Sequence, residues 1–244
     1  SNGDFNDYVG LDDIKISGTP SPSYYWNGVG ALQDPAQWGV NTDGSGGGLS
    51  DFTTPNTNLF IRNASSATLS ANWTISGSGS VLNVGDGTVP NSTNLVIPST
   101  FALTISGGAK LNVSNNSTLT IQNTSFPVLA NVVLGSSSTI NFAQSSAVTI
   151  WATTYGNLIF SGSGNRSQGS GVTSVTGSLI IGASNNYVMV NSPASSTQLS
   201  GAITCNGGIT TALSNLTIDG SSSNPIGTLN FNGTNTINNL VLSR

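Results

Sequence analysis

The sequence predicts an all-β chain folded as a right-handed parallel β-helix, a three-sided solenoid with coils of about 24 residues. Short triplets of the form apolar-x-apolar recur along the chain, separated by clusters of Gly, Ser, Asn and Thr that favour turns. No segment repeats apolar residues at helical spacing, and helix formers such as Glu and Lys are absent or scarce. In the clearest stretch, consecutive triplets begin at a constant interval of eight residues.

That stretch contains triplets beginning at Leu95, Leu103, Leu111 and Leu119. Eight residues make one strand and one corner, so three units complete a coil and Leu119 is predicted to stack over Leu95. Side chains alternate between the two faces of a strand, so the outer residues of each triplet should point inward and the middle one outward. Less regular triplets follow at 132–134, 140–142, 148–150, 158–160, 179–181, 188–190, 216–218, 229–231 and 240–242.

A β-sandwich is the alternative fold, because it is also built from short strands separated by turns. Sandwich strands are usually longer than three residues and seldom keep one constant spacing, so the solenoid is favoured.

The chain divides into three predicted parts. Residues 1–18 alternate like the C-terminal strand of a preceding β-sandwich domain and run into a linker, and residues 19–75, which are rich in aromatic residues and Gly, are predicted to cap the solenoid. Residues 76–244 are predicted to form the solenoid itself. Because the sequence lacks an initiator Met and a signal peptide and ends in a strand-like segment, we expect the solenoid to continue in a longer protein.

The composition excludes several classes of function. The 244 residues include nine acidic and five basic side chains, with no cluster of Lys or Arg to hold a phosphate backbone, so nucleic acid is not an expected partner. No apolar run approaches the length of about 18 residues that a membrane-spanning helix needs, so membrane insertion is not expected either. The single cysteine, Cys205, rules out an internal disulfide framework and is predicted to be buried.

Catalysis is not expected from the side chains present. With no His and no Glu, the sequence has no Ser-His-Asp triad, and after Asp86 its only carboxylate side chain is Asp219. Glycoside hydrolysis needs two carboxyl groups, and a lyase needs a base with supporting cations, whereas Lys110 and Arg166 stand alone in the sequence. We therefore predict that the chain is not an enzyme.

Two sets of residues are candidate ligand sites. The first is a set of aspartates near the N-terminus, which supply oxygen ligands at short spacing, as Ca²⁺ prefers. Asp is also a common turn residue, which explains the same pattern without a metal. The second is a set of tryptophans whose rings could form a platform on which sugars stack. Packing of these rings within the cap is the alternative explanation. The calcium set is Asp4, Asp7, Asp12 and Asp13, and the sugar set is Trp26, Trp38 and Trp73. No other cofactor is expected.

Several motifs resemble a known class of protein. The segments YYWNG (24–28), QWG (37–39), DGSG (43–46), RN (62–63) and WTISG (73–77) resemble the opening of solenoid regions in bacterial surface proteins exported by type IX secretion. The later segments GNLIFSGSG (156–164) and NLVL (239–242) are similar to the same regions and to adhesins of the filamentous-haemagglutinin kind. Residues 10–16 resemble the closing strand of jelly-roll modules of the MAM or carbohydrate-binding kind.

This resemblance implies an extracellular or cell-surface protein. The expected function is a non-catalytic stalk, adhesin or fibre-forming segment of a large secreted bacterial protein. Its expected partners are other modules of the same polypeptide, further copies in a fibre, or a surface polysaccharide. The alternative function is a carbohydrate-binding module that recognises a surface polysaccharide through aromatic residues.

Overall fold

The computed structural model describes residues 20–189, 195–220, 223, 225–232 and 236–243. These residues form strands and turns, with three single-turn 3₁₀ helices at Pro35–Gln37, Val89–Asn91 and Leu129–Asn131. The all-β prediction is therefore confirmed. The segment 1–18 and the four aspartates of the predicted calcium set lie outside the described residues.

The strands are β1 (Ser23–Trp26), β2 (Trp38–Gly39), β3 (Asn58–Ile61), β4 (Ser66–Thr68), β5 (Trp73–Ile75), β6 (Val81–Val84), β7 (Asn94–Ile97), β8 (Leu103–Ile105), β9 (Lys110–Val113), β10 (Thr118–Ile121), β11 (Val132–Leu134), β12 (Thr139–Phe142), β13 (Val148–Ile150), β14 (Thr154–Tyr155), β15 (Asn157–Phe160), β16 (Gly164–Gln168), β17 (Val172–Val175), β18 (Leu179–Ile181), β19 (Asn185–Val188), β20 (Ser196–Leu199), β21 (Ile203–Cys205), β22 (Gly208–Thr210), β23 (Ala212–Ile218) and β24 (Thr236–Leu242).

The sheets are parallel and take strands that are far apart in sequence. The largest has seven strands in the order β21-β18-β15-β12-β10-β7-β4. From β15 onward each sheet takes every third strand, as in β15-β18-β21, β16-β19-β22 and β17-β20-β23. Among the described strands, only β1 and β2 pair in antiparallel fashion. A β-sandwich requires antiparallel sheets, so that alternative is not the arrangement observed.

The register confirms the predicted stacking in the regular stretch. Leu119 pairs with Leu95, 24 residues earlier, and Ile121 pairs with Ile97. The interval then varies, because Ile140 pairs with Leu119 after 21 residues and Leu158 with Ile140 after 18. Parallel strands cannot be joined by a tight hairpin, so each interval contains the other strands and corners that return the chain to the same sheet.

Side chains alternate as predicted through most of the sheets. In β7 and β10 the outer residues of each triplet are fully buried and form the core between the sheets. The prediction was wrong at 188–190, where Met189 is buried and Val188 is partly exposed. The strand there begins earlier, at Asn185, so the phase of alternation is set by Asn185 and Tyr187, which point inward.

Within the described residues, β1 and β2 form one edge of the first sheet. β1 pairs in parallel with β3 on one side and in antiparallel with β2 on the other, and β2 is the terminal strand. Parallel pairing begins within the region predicted as a cap, because β3, β4 and β5 pair with β6, β7 and β8. Parallel pairing of this kind is therefore present on both sides of residue 75.

By contrast, β24 is an exposed edge strand among the described residues. Leu240 and Leu242 of β24 continue the buried ladders of Leu216 and Ile218, yet Leu242 is 67% exposed. Within the described residues β24 is the last strand of its sheet, so its outer edge has no neighbouring strand to cover these side chains.

Candidate functional site

The three tryptophans predicted to bind sugar lie in the core. Trp26, Trp38 and Trp73 are only 4%, 1% and 2% exposed. The rings of Trp38 and Trp73 lie 5.9 Å apart, and Phe52 packs edge-on against both. The Trp38 indole N–H donates to the carbonyl of Leu32 at 2.8 Å. In this arrangement the rings pack against protein on their faces, so none of the three offers a platform to a sugar.

Asp43 and Asp51 hold turns. The Asp51 carboxylate accepts hydrogen bonds from the backbone N–H and hydroxyl groups of Thr53 and Thr54, and these bonds lower its pKa to about 2. In the DGSG segment, Asp43 accepts both the N–H and the hydroxyl of Ser45, which lowers its pKa. Within the described residues, no group of three or more His, Cys, Asp or Glu side chains is placed to hold a metal ion.

Asp86 and Asp219 lie far apart. Asp86 lies in the connection before β7 of the seven-stranded sheet. Asp219 lies before Ile226, which forms a bridge with Ile203 of β21 and so marks the next position of that sheet. Six strand steps separate these two positions, or about 29 Å at about 4.8 Å per step. The paired carboxyl groups of glycosidases lie only about 5 to 9.5 Å apart, so these two cannot act together in such a reaction.

A polar groove that the sequence did not reveal lies at the corner between the first sheet and the seven-stranded sheet. Its upper part has a volume of about 410 Å³, and its lining residues are Arg62, Asn63, Ala64, Ser65, Pro90, Asn91 and Ser92. One wall is the turn after β3, and the other is the connection 85–93, which includes the 3₁₀ helix Val89–Asn91.

The groove extends along the same corner. A second depression of about 170 Å³ is lined by Ser65, Ser92, Thr93, Asn94, Asn116 and Thr118. Ser65 and Ser92 belong to both parts, so the two depressions are contiguous. We refer to the combined feature as the corner groove. Apart from Ala64 and Pro90, all of its lining side chains are polar.

An ion pair fixes the upper wall of the corner groove. Arg62 Nη1 lies 2.7 Å from Asp86 Oδ2. Burial alone would raise the pKa of the Asp86 carboxyl, but hydrogen bonds from Thr88 and Asn91 and the charge of Arg62 together hold it below its ordinary value. Asp86 is therefore ionised at neutral pH and neutralises the only charged side chain that lines the groove.

An aromatic pair flanks the groove on the neighbouring face. The rings of Tyr25 and Phe60 are stacked with centroids 5.1 Å apart, and the Arg62 guanidinium carbon lies 5.8 Å from the Tyr25 centroid. Both rings are partly exposed. Arg62 thus connects the groove to this pair through the ion pair on one side and the ring on the other.

A second polar cluster is buried inside the sheets rather than exposed. Arg166 of β16 has no exposed surface, and its guanidinium donates to the carbonyl oxygens of Gln144, Ser146 and Ser163 at 2.6, 2.9 and 3.1 Å. Within the described part of the chain it forms no ion pair, and burial lowers its pKa from the ordinary value. The dipoles of these backbone carbonyl groups therefore compensate for the buried charge of Arg166.

Hydrogen bonds continue through this interior from Gln168 to Tyr187. Thr197 donates to Gln168 Oε1 at 3.3 Å, and the Tyr187 and Thr197 hydroxyl oxygens are 3.0 Å apart. Burial raises the pKa of Tyr187 to about 12. With no exposed surface on Arg166, Thr173 or Thr197, this cluster is not open to a ligand and serves the interior of the fold.

Few features of the sequence predict the corner groove. Its Asn and Ser side chains are the same residues that fill every turn of this chain, so composition does not distinguish them. The one available signal is length. Nine residues (85–93) connect β6 to β7, whereas four (114–117) connect β9 to β10 at the same corner of the next repeat.

Within the described residues, no helix is both long and apolar enough to cross a membrane. No protein-family model matches the chain, and searches of curated proteins and of solved structures also find no match.

Proposed function

We propose that this chain is a non-catalytic structural segment, a stalk, adhesin or fibre-forming part of a large secreted or cell-surface bacterial protein. The observation that carries this proposal is the continuous parallel ladder of the seven-stranded sheet, from β4 to β21. Each strand in it pairs only with the strands of the preceding and following repeats. Such an assembly gains length by adding repeats and gives each one the same neighbours, which suits a spacer.

The proposed architecture is a three-sided, right-handed parallel solenoid. Three strands per repeat, each joining a different sheet, support the three sides from β15 onward. Crossover connections between parallel strands of one sheet are right-handed in about 98% of cases, which supports the handedness. The repeats vary in length around the proposed coil of about 24 residues, because corners of different lengths connect strands of similar length.

The absence of His and Glu from the sequence and the separation of Asp86 from Asp219 support a non-catalytic role. The proposed setting is the cell surface or the extracellular medium, in line with the resemblance to proteins exported by type IX secretion. Other modules of the same polypeptide and further copies in a fibre are the proposed partners. Calcium binding by Asp4, Asp7, Asp12 and Asp13 stays a prediction.

The carbohydrate-binding alternative, in the form that relies on Trp26, Trp38 and Trp73, has no observation in its favour. All three rings are buried in packing contacts with other aromatic or aliphatic side chains. We therefore retain the structural role as the single proposed function of the fold.

Excision of one repeat tests the proposal. Removing residues 179–202 connects Ser178 to Ile203, which occupies the register position of Leu179 in the next repeat. A modular spacer should remain folded, with an unchanged circular dichroism spectrum per residue and a maximum dimension in X-ray scattering shorter by about 5 Å. The control is removal of residues 179–188, which deletes β18 and β19 but leaves β20, so every later strand would fall in the wrong sheet and the chain should unfold.

Two results would contradict the proposal. One is unfolding of the in-register deletion, because a modular array tolerates loss of a repeat. The other is turnover of pectin, alginate or chitin by the purified chain that disappears in Asp219→Asn, because the chain would then be an enzyme.

A further inference from the structure

We propose that the corner groove is a binding site for an extended, uncharged oligosaccharide. This site is distinct from the tryptophan platform considered above, and it adds a ligand to a segment whose proposed role is structural. The shape of the groove, the chemistry of its walls and its direction along the sheets all favour such a ligand.

The shape of the groove comes from one irregular corner. The connection between β6 and β7 is five residues longer than the one between β9 and β10, which has four residues, as does the one between β11 and β12. The extra residues form the wall around Val89–Asn91 that the later corners lack. In repeat proteins, insertions of this kind map to loops on one face, which is often the binding face.

The wall is held in place before any ligand arrives. Asp86 is bonded to Arg62 across the groove, to Thr88 within its own connection and to Asn91 at 2.8 Å. These contacts fix the long connection against the turn after β3. A groove held open in this way binds a ligand without the entropic cost of ordering a loop.

The chemistry of the walls favours hydroxyl groups on the ligand. Ser65, Ser92, Asn94, Asn116 and Thr118 present hydroxyl and amide groups, which both donate and accept hydrogen bonds. A sugar hydroxyl does the same, so one sugar residue can be satisfied by several such side chains. The only charge in the walls is Arg62, which Asp86 neutralises, so a charged group on the ligand has no free counter-charge to meet.

The direction of the groove favours an extended chain. The lining residues come from the corners before β4, β7 and β10, which are consecutive strands of the seven-stranded sheet. Each strand step is about 4.8 Å, close to the length of one pyranose unit in an extended glycan. The groove therefore presents a similar polar surface to each of two or three successive sugar units.

Substitution of the shared serines tests this site. Neither the Ser65 nor the Ser92 hydroxyl takes part in a hydrogen bond within the described part of the chain, so Ser65→Trp and Ser92→Trp fill the groove without breaking a bond. Ser136→Trp is the matched control, since Ser136 is an exposed serine in the connection 135–138 between β11 and β12, outside the groove. Asn116→Gly is a further variant that removes an amide from the groove, and it preserves the backbone because Asn116 has a positive φ of 62°.

The measurement is saturation-transfer NMR and calorimetry of the purified chain with neutral hexasaccharides derived from cellulose, chitin, xylan and mannan. We expect at least one of them to bind, with affinity lowered about tenfold or more by either tryptophan variant and unchanged in Ser136→Trp. Asn116→Gly should weaken binding by about threefold to tenfold. Because the ligand is uncharged, affinity should not vary with salt concentration.

Several outcomes would overturn the proposal. These are no binding of any neutral hexasaccharide at millimolar concentration, equal binding by the variants and the parent chain, or binding confined to polygalacturonate and alginate oligosaccharides with strong salt dependence. Circular dichroism of each variant shows that it is folded, and Asn116→Gly decides the outcome if a tryptophan variant unfolds. Failure of binding would leave the structural role of the segment unaffected.

Discussion

The interior of the molecule differs between its two halves. Residues 58–121, the apolar-core region, enclose ladders of aliphatic side chains such as Leu82 over Leu59 and Leu119 over Leu95, all at most 1% exposed. Residues 144–199, the polar-core region, enclose Arg166 and its hydrogen-bonded neighbours at the same depth. Both regions nevertheless keep the same parallel pairing of strands.

The difference separates two contributions to the fold. Backbone pairing is common to both regions and defines the architecture, whereas the interior side chains vary from one repeat to the next. A polar interior is tolerated because the corners supply carbonyl oxygens that point inward, as Ser146 and Ser163 do for Arg166. Corner carbonyls in the apolar-core region also accept bonds from buried side chains, as Gly85 does from Ser114 and Ala64 from Thr93, but those donors are small and uncharged.

Loss of an aliphatic contact in the apolar-core region should have the largest effect. Leu119 is fully buried between Leu95 and Ile140, so Leu119→Ala leaves a cavity in a continuous ladder. We expect the free energy of unfolding to fall by about 4 kcal/mol in urea denaturation. Thr104→Ala, at an outward position of β8, is the control and should change it by about 0.5 kcal/mol or less. A loss of under about 1 kcal/mol in Leu119→Ala would show that the ladder is not tightly packed.

Removal of the buried charge tests the polar-core region. Arg166→Met retains much of the side-chain volume but leaves the carbonyls of Gln144, Ser146 and Ser163 without this donor. We expect the free energy of unfolding to fall by about 3 kcal/mol, because the cost of unsatisfied buried acceptors exceeds the gain from removing a buried charge. An increase in the free energy of unfolding would mean that Arg166 destabilises the fold.

The close approach of neighbouring corners gives an effect of intermediate size. A Cβ at Gly201 would overlap the carbonyl oxygen of Gly177, which occupies the corresponding corner of the preceding repeat. Gly201→Ala must therefore push two corners apart and should cost about 2 kcal/mol or more. Gly47→Ala is the matched control, because a Cβ at Gly47 meets no atom within 4 Å. Equal thermal midpoints for the two variants would contradict the observed stacking of the corners.

The smallest effect at neutral pH is expected from the buried tyrosine. Tyr187→Phe removes the contact with the Thr197 hydroxyl and should lower the free energy of unfolding by about 1 kcal/mol.

The pH dependence of the same variant is more diagnostic. Because burial raises the pKa of Tyr187 to about 12, against an ordinary value of 10.0, the unfolded chain releases this proton first as pH rises. Stability from this group is fully present below pH 10 and should be lost between about pH 10 and 12, by about 2 to 3 kcal/mol. Tyr187→Phe should lack this part of the alkaline decline, and identical alkaline profiles for the two proteins would refute the assignment.

The apolar-core region was the more predictable from sequence. Leu, Ile and Val that alternate at a fixed interval predict strands stacked in successive repeats, and the register of Leu119 over Leu95 follows from that stacking. In the polar-core region the inward positions include Arg166 and Asn185, residue types that normally indicate exposed turns. The apolar alternation that predicts a strand is therefore interrupted there. That is why the phase was wrong at Val188 and Met189.

The candidate sites were less predictable than the fold. Aromatic residues favour both a packed core and a sugar platform, and only the structure shows that Trp26, Trp38 and Trp73 are buried. The corner groove depends on the proximity of residues 62–65 to residues 90–94 and 116–118. This proximity requires the register of three strands, which the irregular length of the repeats hides from the sequence.

We expect successive repeats to stack at a constant spacing through both regions. Outward positions of the seven-stranded sheet test it directly, because Thr68 and Thr204 are exposed and are separated by six successive strand pairings. We predict that spin labels at these positions, in a Cys205→Ser background, lie about 29 Å apart by double electron–electron resonance, and that labels at Val96 and Thr204 lie about 24 Å apart. Equal distances for the two pairs, or a Thr68–Thr204 distance under about 15 Å, would contradict the stacked arrangement.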